Sequence, residues 1–169
     1  RFLSLPRPEP EPPHRTHTVP APTGSPEAAR RLIAASQPIL GTLVETYLRH
    51  RCIDRLHDVG SLRFHPRCYY RADDKAPRQN WPAMIASVTD LGGAITGAHR
   101  TWLDPSGAGK APIETPRKAM GTLLGHAVRF GSSAKVMAAG EGIETMLSLR
   151  MVLSGMPMIS DAASYAAEA

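Results

Sequence analysis

Cysteine is nearly absent from this chain: Cys52 and Cys68 are the only two in 169 residues. Two cysteines without a Cys-x-x-Cys spacing make neither a disulfide framework nor a structural zinc site, which needs four well-spaced ligands. Aromatic residues are scarce too, at 5% against 42% hydrophobic, so Leu, Ile, Val, Ala and Met must fill any core. No apolar run reaches the roughly 18 residues of a membrane span, and no signal-peptide apolar segment is present. These absences predict a soluble protein of the reducing cytoplasm with no membrane partner. Lysine is also short, with four Lys against sixteen Arg in a net charge of +5. A positive balance suits polyanions such as nucleic acid and nucleotides. Base composition of the coding DNA produces the same arginine excess, and no block of consecutive basic residues decides between the two.

Proline is present in quantity but unevenly. Eight of the sixteen fall within residues 1–26, where fixed φ and missing donors predict an extended linker over residues 1–25. His14 and His17 in that linker read as solvated side chains rather than metal ligands. Ser25-Pro26-Glu27 then reads as a helix start, with serine as N-cap and proline at the first helical position. That helix carries EAARRLIAASQ and ends before Pro38. A second begins at Thr42, where Thr42 and Glu45 have capping-box spacing and Val44, Tyr47 and Leu48 share one face.

From about residue 60 the period changes. SLRFHP reads as a short strand, and AMIASVTD and AITGAHRTWL on either side of Leu91-Gly92-Gly93 read as a hairpin. A loop, DPSGAGKAPIETP, leads to a strand at HAVRFG. KVMAAG as strand, IETMLSLRMVLSG as a helix closed by Gly155, and MPMIS as strand make a βαβ unit, which implies parallel pairing. AASYAAEA reads as the opening of one more helix. The expected class is α/β: an α+β part with a hairpin over residues 26–131, then an incomplete parallel α/β sheet over residues 132–169. Such a sheet is expected to leave an apolar face and an open edge.

The candidate chemistry centres on Gly140-Glu141-Gly142, where a buried strand turns into a helix. Ligands of open α/β sheets bind at the carboxyl ends of strands. A carboxylate there can hold a hard cation or move a proton, and flanking glycines let phosphate come close. The other reading is that Glu141, with Glu144, only complements the helix dipole. Around the loop, Arg100, Lys110, Arg117 and Lys118 are candidates for phosphate contact, or else a solvated basic surface. Gly109-Lys110 is not a phosphate-binding P-loop, because Asp104 stands where that motif needs glycine and Ala111 where it needs Ser or Thr. His65 and Cys68, at i and i+3, lack further ligands and read as packing residues. His99 reads equally as facing substrate or as structural. Trp102 reads as core rather than a base-stacking platform.

VMAAGEGIETMLSL resembles the first motif of the Toprim domain shared by DnaG-type primases, topoisomerases and related nucleases. The stretch from LRFHPRCYY to HAVRFG is similar to the region preceding Toprim in primase-like proteins of plasmids, phages and integrative elements. The resemblance covers roughly residues 25–160. It implies Mg²⁺- or Mn²⁺-dependent nucleotidyl transfer on a DNA template in replication of a mobile element. Nucleotides are then substrates, and a helicase or other replication protein a possible partner. It makes Glu141 the acid/base or metal-site residue, and gives Arg100, Lys110, Arg117 and Lys118 to template and nucleotide. A DxD metal motif is also implied, yet the acids after Glu141 are Glu144, Asp161 and Glu168, none in that pattern. The expectation is therefore a chain truncated before its second metal motif and inactive alone. The alternative is a non-catalytic nucleic-acid-binding or interaction protein that keeps the basic scaffold.

Overall fold

Ser25 does cap the first helix. In the computed structural model, which describes residues 24–132 and 134–161, its hydroxyl accepts from the Ala28 N–H and Pro26 opens α1 (Pro26–Ala34). The expected linker, most of it, lies outside the described residues, as do His14, His17, Glu168 and the AASYAAEA segment. Helix α1 ends at Ala34, short of the expected stop before Pro38. Thr42 caps α2 (Leu43–Arg49), and Val44, Tyr47 and Leu48 are all buried. The capping box closes one residue early: the Glu45 carboxylate accepts from the Gly41 N–H at 2.6 Å rather than from Thr42.

Seven strands form one sheet: β1 (Leu62–Tyr70), β2 (Gln79–Thr89), β3 (Ile95–Trp102), β4 (Arg117–Gly121), β5 (Ala127–Phe130), β6 (Ala138–Gly140) and β7 (Met158–Asp161). Strand β1 is longer than the expected SLRFHP segment. It survives Pro66 because the ladder bulges between His65 and Cys68, where a missing donor costs nothing. The hairpin is as expected: β2 and β3 run antiparallel, with the turn closed by Asp90 and by Gly93 at φ +83°. Strand β4 is an addition. RKAMG has no apolar alternation and carries no assignment from sequence, but antiparallel pairing from Gly97 to Thr101 holds it on β3. KVMAAG is strand only at its last three residues, and Val136 stays 67% exposed.

The order β4-β3-β2-β5-β7-β6 makes β6 an edge and leaves β1 paired to β2 alone. Strand β2 is shared. Its residues 79–86 pair with β1, while Val88 and Thr89 pair with Val128 and Ala127 of β5. Arg129 reinforces that short joint, its Nη1 donating to the Thr89 carbonyl and hydroxyl at 2.6 and 3.0 Å. The β6–α3–β7 unit, with α3 at Ile143–Val152, has the parallel pair the sequence predicts. Strand β5 pairs antiparallel with β7.

The class is thus mixed α/β, mostly antiparallel with one parallel pair. Alternation on β2 explains its two-sided burial. Met84, Ala86 and Val88 join the cluster that holds Val44, Tyr47, Ile143 and Leu147, from α2 and α3. Ala83 and Ile85 face the other way, toward Ala29 of α1, Tyr70 and Trp102. Each large side chain buried in this way contributes about 2 kcal/mol of transfer free energy.

Candidate functional site

Strand β6 ends at Gly140, which pairs with Ser160 of β7, so Glu141 and Asp161 follow at the same carboxyl end of the sheet. The Ser160 hydroxyl, fully buried, donates to the Glu141 carbonyl at 2.9 Å. The backbone of Glu141 is therefore tied while its side chain stays exposed, with no hydrogen bond or ion pair to it among the described residues. Such a carboxylate is positioned by the fold and open to a ligand.

The flanking glycines lie against the first turn of α3. A Cβ at Gly140 would lie 3.0 Å from both Cε and Sδ of Met146, and one at Gly142 2.9 Å from the Thr145 hydroxyl. The first turn of α3 folds back onto them. Glu144 is occupied: it accepts the Tyr47 hydroxyl at 2.8 Å, tying α3 to α2. Burial, and then the Glu144 charge, pushes the Tyr47 pKa up, so the phenol remains a donor.

The donor type at Glu141 suits a hard cation, but the set is short. Among the described residues no group of three or more His, Cys, Asp or Glu could hold a metal. Asp161, dismissed on sequence for lacking the DxD pattern, is the acid that the parallel register sets beside Glu141. The strand pairing itself was the signal.

The four basic candidates do not form one group. Arg100 and Lys118 are direct cross-strand partners of β3 and β4, on the α1 face with Ala98, Trp102 and Met120. Arg117 alternates to the opposite face, beside Ala119. Lys110 lies in the loop, bridged to Leu103. Strands β4 and β6 are the two ends of the strand order, yet Arg117 of β4 and Asp161 at the end of β7 both act electrostatically on His99 of β3.

Lys118 donates to the carbonyls of Arg71 and Ala72 at 2.9 and 2.7 Å. Burial, then the Arg100 charge, lowers its pKa. Trp102 is core, as expected, fully buried and edge-on to Tyr70 at 4.9 Å. Burial pushes the Cys68 thiol up to about 11, so it is no nucleophile at neutral pH. His65 accepts the Arg67 N–H at 3.2 Å inside the bulge, a structural use.

His99 is buried on β3. Burial pushes its imidazole down to about 4; Asp161 pulls it up, while Arg117 and Arg100 push it further down. The unfolded chain, with an ordinary value of 6.5, therefore takes up this proton first as pH falls. The stabilisation is complete above pH 6.5 and is lost as pH falls through 6.5 toward 4, about 3 kcal/mol in all. Urea unfolding across that window is expected to show a steeper acid loss for wild type than for His99→Gln. Parallel curves would remove His99 from the account.

Among the described residues no helix is long and apolar enough to cross a membrane. No curated protein and no solved structure matches the chain. A family model described as a domain of unknown function, DUF7146, matches residues 23–130. The match takes in α1, α2 and β1 to β5, with Arg100, Lys110, Arg117 and Lys118; it stops before Glu141. Matched over more than half its length, the chain belongs to the DUF7146 family.

Proposed function

We propose that this chain is the scaffold and first acidic corner of a Toprim-type, primase-like nucleotidyltransferase acting on a DNA template in replication of a mobile element. One observation carries the reading. The parallel β6–α3–β7 unit anchors the backbone of Glu141 and presents its exposed carboxylate at the strand ends, where α/β sheets bind ligands. Glu141 would supply one oxygen ligand to Mg²⁺ or Mn²⁺, and the ion, when bound, would neutralise phosphate charge. The chain's own contribution is positional: Ser160 and the Tyr47–Glu144 bond fix the strand end and the helix around that carboxylate. Nucleotides and template are the substrates, and a helicase is the natural partner for such an activity.

A second reading, non-catalytic nucleic-acid binding, is favoured by the lack of a three-ligand metal group among the described residues. One variant separates the two. In the complete gene product, Glu141→Gln is expected to cut Mg²⁺-dependent primer synthesis about a hundredfold, with oligonucleotide affinity unchanged. Full synthesis by this variant would sink the catalytic reading; binding without synthesis in the wild type would select the second.

A further inference from the structure

Two acids flank the start of α3. Glu141 precedes the Gly142 N-cap, which supplies no side-chain cap, and Glu144 lies in the first turn. Either carboxylate is favoured at the positive end of the helix. The fold nevertheless treats them differently. Glu141 is exposed on a backbone that Ser160 anchors. Glu144 is half-buried and reaches across to α2, where its Oε1 accepts the Tyr47 hydroxyl at 2.8 Å.

Tyr47 is fixed in place for that contact. Its side chain is fully buried in the cluster that also holds Ile143, Met146 and Leu147 of α3. The Arg51 guanidinium lies over its ring, 4.7 Å from the centre, so a positive charge stands near the phenol and carboxylate. A hydrogen bond to a carboxylate is stronger than one between neutral groups. Without the hydroxyl, Glu144 would be a half-buried charge facing a hydrocarbon ring, and the cost of burial would turn it outward. A carboxylate released there stays within about one helical turn of Glu141.

We infer that Tyr47 is a positioning residue that selects which acid is presented: by holding Glu144 inward, its hydroxyl leaves Glu141 as the free carboxylate at the start of α3. The selection is made from α2, inside the matched family region, on a helix that lies outside it. Its consequence for catalysis rests on the proposed function; the selection itself does not. In that function phosphate groups approach this end, and a second negative charge beside Glu141 repels them.

The test is carboxyl labelling of the complete gene product in EDTA, with a carbodiimide and glycine ethyl ester, read residue by residue by mass spectrometry. In the wild type Glu141 is expected to label and Glu144 to be protected. Tyr47→Phe, which keeps the ring in the core, should speed labelling of Glu144 by about tenfold. Tyr70→Phe is the control. Its hydroxyl accepts the Thr115 N–H at 3.3 Å, in the other core cluster, and its loss should leave Glu144 protected. In primer synthesis, Tyr47→Phe is expected to lower kcat about tenfold with KM for nucleotide unchanged. Adding Glu144→Ala to it should recover more than half of that loss, which a defect of packing alone would not allow. Continued protection of Glu144 in Tyr47→Phe, or equal labelling of it in Tyr70→Phe, overturns the proposal. Labelling of Glu144 in Tyr47→Phe, when even the wild type makes no primers, leaves the selection standing and removes the catalytic reading.

Discussion

Trp102→Ala is expected to lower the unfolding free energy by about 4 kcal/mol, the middle of the range for removal of a core aromatic. The ring is fully buried among Tyr70, Cys68, Ile85 and Ala111, with Leu32 and Ile33 of α1 closing over it. Its indole N–H donates to the Cys68 carbonyl at 3.3 Å, and its edge-to-face contact with Tyr70 adds to the area term. Alanine leaves a void that the sheet cannot close, because the Trp102 backbone is fixed by the Pro116 carbonyl and the Ala111 N–H, both at 2.9 Å. It also strips the Arg100 guanidinium of the π face that covers it. Urea unfolding followed by the fluorescence of Trp81, the other tryptophan, measures the loss directly. Trp102→Phe should recover more than half of it. A cost below about 1 kcal/mol would mean the ring is not packed as described.

Gly121→Ala is expected to cost more than about 3 kcal/mol and to open the β4 edge. Gly121 pairs with Gly97 on β3 and has φ +88°, a region that L side chains avoid. A Cβ there would run into the Thr96 carbonyl oxygen and lie 2.7 Å from the Gly97 Cα. Both obstacles are backbone, so no rotamer change relieves them. Gly125→Ala is the control: its φ is +77°, but a Cβ there meets nothing within 4 Å. It should cost about 1 kcal/mol from conformation alone. Equal costs at the two positions would show that the glycine pair does not govern the approach of β3 and β4.

The helices and the hairpin were legible because each carries a local device. Ser25 and Thr42 cap, Pro26 starts, and Leu91-Gly92-Gly93 turns. Gly142 and Glu141 marked the strand-to-helix switch in the same way. Strand β4 was illegible because Arg117 and Lys118 resemble loop residues until β3 pairs with them. Strand β6 was overread because Val136 and Met137 are apolar yet exposed. At the candidate site, sequence identified Arg100 and Lys118 but grouped them with Arg117 and Lys110. Strand alternation sends Arg117 to the other face, a consequence of register that spacing across a long loop cannot reveal. The pairing of Asp161 with the end of β6 is likewise a long-range fact.

The shared strand β2 has a consequence for the unity of the sheet. Two residue pairs, Val88–Val128 and Thr89–Ala127, join the hairpin half to the half that carries Glu141. The Arg129 guanidinium reinforces this joint by gripping Thr89 through two oxygens, and the packing of α3 on α2 with the Tyr47–Glu144 bond ties the same two halves. Arg129 is thus the latch of the sheet.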